Sequence, residues 1–319
     1  MRITIVVNQT APWCPKDFDE GRLAGSEEMV VLFARELTRH GHHVTVYSST
    51  SDRSHIDPVF ECGQVIDYRH ISQIGNRKNE GILIAFKEPK ALEIDGFEKR
   101  YLWTADCTSL SVRQRELCDG LFAISEWHER ELIGKNPAFN KISHIKPGIQ
   151  TSDEYYNRNI KQCLYASSHD RGLDFLLAIW PTIRAHHPTA RLKVTYGNGD
   201  YTPISGVDFL GKLSNEDMAM LYKTSDVFAY PCTGQERYCI SAAKAQIYGA
   251  VPCVIPHMAL QNVVQFGKKS LKKDYLECII ALLANTSDRE AIRSDMMLNF
   301  KYNTWSDVVN KWEKIFDER

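Results

Sequence analysis

Glu236 stands in the run "YPCTGQERYCISAAKAQIYGA", between a strand-like segment and the small residues that begin a helix. A carboxylate at the carboxyl end of a strand accepts hydrogen bonds and donates none, which suits it to sugar hydroxyls. As a plain loop residue it would face water. Further into the same helix is Lys244. A cation in the first turns opposes the helix dipole at a cost of roughly 0.3–1 kcal/mol, so either an anion lies near it or it faces solvent. A second stretch, "YASSHDRGLDFLL", ends a strand at Ser167 and Ser168 and opens a helix at Arg171-Gly172. Arg171 presents a planar fork of donors that matches a phosphate, and Gly172 lets the backbone approach closely. The alternative is a surface arginine paired with Asp170 or Asp174, a contact worth little. A third, "NQTAPWCPKDFDEGRLAGSEE", lacks the GxGxxG spacing of a dinucleotide fingerprint. Its Gly25 and Ser26 stand at a helix N-terminus, where free N–H groups favour a phosphate or a sugar; a simple N-cap at Ser26 accounts for the same residues.

Several classes of function drop out. The 319 residues carry a net charge of −1 with scattered basic residues, whereas a nucleic-acid binder needs a concentrated basic face. The nine cysteines show no CxxC and no Cys/His cluster with zinc spacing, so a disulfide scaffold is not expected and a reducing cytoplasm fits. "MRITIVV" runs straight into a strand without a signal-like apolar region, and no stretch approaches the length of a membrane span. There is no Ser/His/Asp arrangement and no HExxH, and no metal site is expected. His40, His42 and His43 cluster at a helix end, where imidazolium complements the dipole. His169, beside Arg171, either touches a ligand or is a solvated turn residue.

The elements that must position these residues alternate. "RITIVV" (2–7) is a continuous apolar run, as for a buried parallel strand. Residues 26–41 read as an amphipathic helix, with Ser26 as N-cap, Glu27 and Glu28 in the first turn, and Val30, Val31, Ala34 and Leu37 on the apolar face. "HHVTVYS", "GILIAF", "RYLWT" and "GLFAIS" are strands, "EWHERELIGK" is a helix, and "KISHIKPGI" closes a first domain near Ile149. "QTSDEYYNRNIK" reads as linker. "QCLYASS", "ARLKVTYG", "VDFLG", "DVFAYP" and "AVPCVI" then alternate with helices, one of them capped by Ser214. Two βα series that each restart from a strand imply an α/β fold: two doubly wound, Rossmann-like parallel-sheet domains facing across a cleft, with ligand at the carboxyl ends of strands. The expected division is 1–150, 151–303, and a terminal helix at 304–319. That helix presents Trp305, Val308, Trp312 and Ile315 and either crosses back to the N-terminal domain or docks on its own.

In order and spacing these pieces resemble a GT-B glycosyltransferase of the large retaining family 4 (glycosyl transferases group 1). "AGSEEMVVLFARELTRHGHHVTVYS", "LFAISEWHERELI", "FLGKLSNEDMAMLYKTSDVFAYP" and "ERYCISAAKAQIYGAVPCV" each look like segments of that family. "SSHDRGLDFLLAIWPTI" is closest to a subgroup reading Ser-Ser-x-x-Arg-Gly-Leu-Asp. The resemblance covers nearly the whole chain. It implies metal-independent sugar transfer, with retention, from a nucleotide-diphosphate sugar used as co-substrate, and no further cofactor. It places Glu236 on the donor sugar, Arg171 on the diphosphate beside Ser168 and Gly172, Gly25 near phosphate or sugar with Ser26, and the amides of Ile240 and Ser241 on the phosphates.

Three departures stand out. Lys244 occupies the place of a second signature glutamate that usually holds the ribose; it would bond a phosphate or ribose oxygen, pair with Glu236, or face solvent. Ala166 stands where another arginine is common, leaving Lys244 or Lys212 to supply the charge. "LWTADCT" offers Asp106 in place of the family's N-terminal histidine loop. The acceptor is a glycan, a lipid-linked sugar or a small molecule, with "WCPKDFDEGR" a candidate lining and peripheral membrane contact left open. A catalytically inactive nucleotide-sugar binder or partner subunit of the same fold is the alternative function. A Rossmann oxidoreductase would require a Gly-rich turn that "NQTAPWCP" does not supply.

Overall fold

The computed structural model describes residues 1–7, 12–50, 54–59, 61–74, 79–151, 157–196 and 201–318. Residues 8–11 of the first loop and 152–156 of the expected linker lie outside them. The chain divides into two compact units, Met1–Asp19 with Leu23–Gln150 and Asn303–Arg319, and Glu20–Arg22 with Thr151–Tyr302.

Unit 1 runs β1 (Arg2–Val7), α1 (Pro15–Asp19), α2 (Gly25–Arg39), β2 (His43–Ser48), β3 (Ser54–Val59), β4 (Gln64–His70), β5 (Ile82–Phe86), β6 (Lys99–Trp103), α3 (Val112–Leu117), β7 (Gly120–Ala123), α4 (Glu126–Lys135) and β8 (Ile142–His144). Its sheet has the order β3-β4-β2-β1-β5-β6-β7-β8. β1 lies between two parallel neighbours and is buried on both faces from Ile5 to Val7, which is why it reads as an unbroken apolar run. β3 was not anticipated. It pairs antiparallel with β4 at the sheet edge, the one place where a strand tolerates the missing N–H of its Pro58. The N-cap of α2 lies two residues earlier than expected. Ala24 is its N-cap, with no side-chain cap bond, and the Ser26 hydroxyl donates to Glu27 at 3.2 Å instead. The chain enters in extended conformation at Ala24, whose carbonyl takes the first helical bond from Glu28 at 3.0 Å, so Ser26 is already inside the first turn.

Unit 2 runs β9 (Asn159–Ala166), α5 (Leu173–His186), β10 (Arg191–Thr195), β11 (Val207–Gly211), α6 (Asn215–Thr224), β12 (Ser225–Tyr230), α7 (Ile240–Tyr248), β13 (Val251–Val254), α8 (Leu260–Val263), β14 (Lys268–Lys269), α9 (Tyr275–Ala284) and α10 (Thr286–Asn299). The sheet order is β11-β10-β9-β12-β13-β14, every pair parallel. Numbered from its own first strand this is 3-2-1-4-5-6, the doubly wound order whose direction reverses between β9 and β12. α6 has Ser214 as its N-cap, accepting from Asp217 N–H at 3.1 Å.

The last helix, α11 (Trp305–Asp317), packs on unit 1. Trp312 lies against Phe122 at 4.8 Å between ring centroids and against Phe33 and Trp103, each at 5.9 Å. His42 joins Glu313 at 3.0 Å and His40 joins it at 3.3 Å. The two imidazoles that read as dipole complements therefore tie α11 to α2, and burial lowers the pKa of His42. Trp305, Val308, Val309, Trp312 and Phe316 are the buried face; Ile315 is only partly covered, because Phe316 takes the inward position. No helix among the described residues is long and apolar enough to cross a membrane.

Candidate functional site

The reversal of direction in unit 2 opens a gap at the carboxyl ends of β9 and β12. The β9–α5 turn brings Ser167 to Gly172 there, and the β12–α7 segment brings Pro231 to Cys239. Within the first turn the Tyr165 hydroxyl donates to the Ser168 carbonyl at 2.7 Å, and Arg171 N–H donates to the same carbonyl at 3.1 Å. Gly172 is the N-cap of α5 in left-handed conformation, φ 95°. A Cβ there would stand 2.5 Å from the Pro231 carbonyl oxygen. Only glycine lets the two turns meet this closely. Gly172→Ala is therefore expected to be destabilising by more than about 1 kcal/mol, read as a lowered melting temperature. An unchanged melting temperature would show the two turns to be looser than described.

Arg171 and Glu236 come together across this gap. The Arg171 guanidinium donates to the Gln235 carbonyl and lies 3.8 Å from the Glu236 carboxylate. Tyr230, the last residue of β12, donates its hydroxyl to Glu236 at 2.7 Å and meets the Ser167 hydroxyl at 3.2 Å. Behind Glu236, its N–H reaches the Met258 sulfur at 3.4 Å and its carbonyl accepts from Ala259 N–H at 3.1 Å. Glu236 is thus held through both its carboxylate and its backbone, with its side chain 16% exposed and that of Arg171 30% exposed. Burial, the largest influence, lowers the Arg171 pKa, but the charges around it, Glu236 first, together outweigh it and the guanidinium ends above its usual value.

Burial pushes the Glu236 carboxyl up, against the Tyr230 hydroxyl and the Arg171 charge, which pull it down. An acid with a raised folded-state pKa binds its proton more tightly when folded. Stability therefore falls as pH rises from the ordinary carboxylate value, about 4.3, through the raised one. Glu236→Gln, which mimics the protonated acid, is expected to melt higher than the wild type at neutral pH, with the gap closing near pH 4. Identical melting curves across that range would contradict the assignment.

α7 opens at Cys239, a non-glycine residue held at φ 74°. The N–H groups of Ile240 and Ser241 fall in the first turn, where no intrahelical acceptor exists for them. They face the same end of the unit as Arg171 and Glu236. Lys244 is half-buried further along α7 and is engaged by other protein groups. The described partners of the Glu236 carboxylate are Tyr230, Arg171, Cys239 and the Tyr238 backbone. Lys212 follows β11, with its ammonium 5.6 Å from the Tyr196 ring and donating to the Arg22 carbonyl at 3.3 Å. His169 packs edge-on against Tyr201 at 5.1 Å, and Tyr201 stacks on Phe209 at 5.0 Å. The His169 Nε2 is buried without a partner among the described residues.

In unit 1 the corresponding reversal lies between β1 and β5. Gly25 and Ser26 open α2 after β1. Lys87 follows β5 at φ 58° and pairs with Asp106 at 3.4 Å. The buried His128 meets the Asp106 carbonyl at 3.0 Å, fixing the loop after β6. Trp13 of the expected acceptor lining is a core residue, 4% exposed and packed on Tyr68 at 6.0 Å. Tyr230, Cys239, Met258 and Lys87 were not singled out from the sequence. Tyr230 reads as one more aromatic in a buried strand, and nothing in a cysteine or a lysine codon announces a positive φ. Among the described residues no group of His, Cys, Asp and Glu has the arrangement to hold a metal ion.

Residues 161–289 match the family described as Glycosyl transferases group 1. A curated relative, phosphatidyl-myo-inositol mannosyltransferase of Propionibacterium freudenreichii subsp. shermanii, is 34% identical over 80 residues, 25% of this chain and 21% of that protein. The chain thus aligns with about a fifth of the length of that relative. Sucrose-phosphate synthase from Thermosynechococcus elongatus superposes with a TM-score of 0.74 at 12% identity, covering 99% of this chain and 98% of that one. A TarM mutant of S. aureus, in complex with Fondaparinux, alpha-GlcNAc-glycerol and UDP, superposes with a TM-score of 0.62 at 12% identity over 83% of this chain and 64% of that one. The two α/β units with their mostly parallel sheets are those of the GT-B fold, and the family match falls within unit 2.

Proposed function

We propose that the protein is a glycosyltransferase that takes a sugar from a nucleotide-diphosphate donor held on unit 2 and passes it, with retention and without a metal ion, to an acceptor hydroxyl. The observation that carries this reading is the placement of Arg171 and Glu236 together at the strand-order reversal, 3.8 Å apart. The family match over the same unit and a superposed relative solved with UDP support it.

In this reading the diphosphate lies between the Arg171 guanidinium and the first-turn amides of Ile240 and Ser241. Negative charge grows on the leaving diphosphate as the anomeric bond breaks. Donors fixed before the reaction stabilise that charge without reorganising. Arg171 is fixed by the Gln235 carbonyl and by Glu236. Glu236 accepts from the donor-sugar hydroxyls; Tyr230, Cys239 and the Tyr238 N–H take part of its acceptor capacity and fix its orientation. Retention requires the acceptor hydroxyl on the face the diphosphate leaves, and positioning supplies much of the remaining barrier reduction. Lys244, where a ribose-binding carboxylate is expected, offers donors to phosphate or ribose oxygens. The stacked pair Tyr201–Phe209, beside His169, provides a flat apolar surface for a nucleobase. On unit 1, Asp106, paired with Lys87, is the candidate for contact with the acceptor.

A thermal-shift screen against nucleoside diphosphates and their sugar conjugates tests this directly. A ligand bound by the folded state at about 100 times its Kd adds about 2.7 kcal/mol of stability. At least one diphosphate should raise the melting temperature by several degrees, and NMR of the transfer product should show the donor's anomeric configuration. No shift with any nucleoside diphosphate would overturn the reading. Binding without transfer across a broad acceptor panel would favour a non-catalytic nucleotide-sugar binder.

A further inference from the structure

Away from the Arg171–Glu236 site, Cys253 at the end of β13 and Cys278 on α9 bring their sulfurs to 3.9 Å, with the Cys253 thiol donating. Cys253 is fully buried and Cys278 is partly exposed. The Cys278 side is cationic and hydrogen-bonding. Lys268 of β14 lies in register with Cys253, and its charge and the Ser270 side chain both act on the Cys278 sulfur. These groups, the Cys253 thiol first, bring the Cys278 thiol down to about 7. Burial instead drives Cys163 and Cys239 up and Cys118 up to about 12, so those thiols are inert. A partly exposed thiolate with a second sulfur behind it is the arrangement of a sensor cysteine and its resolving partner.

We propose that Cys253 and Cys278 form a peroxide-responsive dithiol whose disulfide loosens the backbone clamp on Glu236. The Cys278 thiolate attacks one oxygen of hydrogen peroxide and displaces hydroxide, giving a sulfenic acid. The Cys253 sulfur then attacks the Cys278 sulfur. The S–OH bond breaks, and the departing hydroxide takes the Cys253 proton as water. Two thiols and one peroxide become one disulfide and two waters, the two electrons passing to the peroxide. A disulfide requires about 2.05 Å between sulfurs, so the two sulfurs must close by about 2 Å from 3.9 Å, pulling on β13 and α9 as they do. The Cys253 carbonyl is held by the Tyr275 hydroxyl at 2.8 Å, one turn before Cys278 on α9, so the closure acts on the strand itself. β13 continues into Met258 and Ala259, which hold the Glu236 backbone at 3.4 and 3.1 Å.

The test uses the full chain, reduced and then treated with stoichiometric hydrogen peroxide. Two of the nine thiols should disappear, non-reducing peptide mapping should link Cys253 to Cys278, and dithiothreitol should reverse both. In Cys253→Ser, dimedone should trap Cys278 as the sulfenic acid. Amide exchange over residues 236–243 should quicken several-fold on oxidation of the wild type and stay unchanged in Cys278→Ser. A different linkage, or oxidation of Cys278 no faster than of Cys62, overturns the dithiol. A formed disulfide with unchanged exchange overturns its coupling to Glu236. None of these readouts needs transfer activity, so this proposal and the proposed function stand or fall separately.

Discussion

Arg171→Ala is expected to lower kcat/KM for the sugar donor about a hundred- to a thousandfold, the range lost when one preorganised donor to a developing anion is removed. Arg171 is already oriented for the proposed reaction, with one side of its fork on the Gln235 carbonyl and Glu236 beside it. Water cannot replace a charge held in that way. Arg171→Lys keeps the charge and loses the fork, so it should recover only part of the rate. The change should fall on kcat more than on KM if the contact strengthens as the bond breaks. Removing Arg171 also takes away the charge that pulls the Glu236 pKa down, so the acid limb of the pH–rate profile should move to higher pH. Initial rates at saturating acceptor, measured across that pH range, check both effects. A rate within threefold of wild type would remove Arg171 from the reaction.

The largest stability effect is expected at Asp226, near the start of β12. Its carboxylate is 4% exposed and accepts from Arg289 at 3.3 Å, from Arg293 at 3.2 Å and from the Lys161 backbone at 2.7 Å. Asp226→Ala strips the buried Arg289 of its carboxylate and leaves Arg293 only the exposed Glu290, which costs about 3–5 kcal/mol. For a unit of this size that is roughly 2–4 °C in Tm per kcal/mol, measured by calorimetry. The effect reaches the site. Arg293 also donates to the Gly249 carbonyl at 2.8 Å, and Arg158 donates to the Ser225 carbonyl at 2.8 Å and to the Tyr248 carbonyl at 2.6 Å. These contacts fix the far end of α7, whose near end carries Ile240 and Ser241. A loss under 1 kcal/mol would mean that water reaches the triad.

That Arg171, Gly172 and Glu236 follow the ends of β9 and β12 was legible in the sequence, because apolar runs end before them and glycines punctuate the turns. β1, α2, α4 and α6 were legible from apolar runs and caps. α9 was not, because a helix apolar nearly all round hides the periodicity that marks one buried face. β3 was hidden by Pro58, which argues against a strand everywhere except at an edge. The buried roles of Arg289 and Arg293 were not legible either: on α10 they are spaced like ordinary surface arginines, and only the fold places Asp226 beneath them. Cys253 and Cys278 lie apart in sequence and meet only through the packing of α9 on β13. Ser26 was misread as a cap because Ser is the usual residue there, while the helix begins from the Ala24 carbonyl.

Isothermal titration of the wild type and Arg171→Ala with a nucleoside diphosphate and with the matching nucleoside monophosphate addresses the central claim most directly. If the diphosphate rests on Arg171 and the first turn of α7, the substitution weakens the diphosphate about ten- to a hundredfold, the loss of a charge-assisted contact of roughly 1.5–3 kcal/mol, and leaves the monophosphate nearly unchanged. Equal affinity of both proteins for the diphosphate would contradict it.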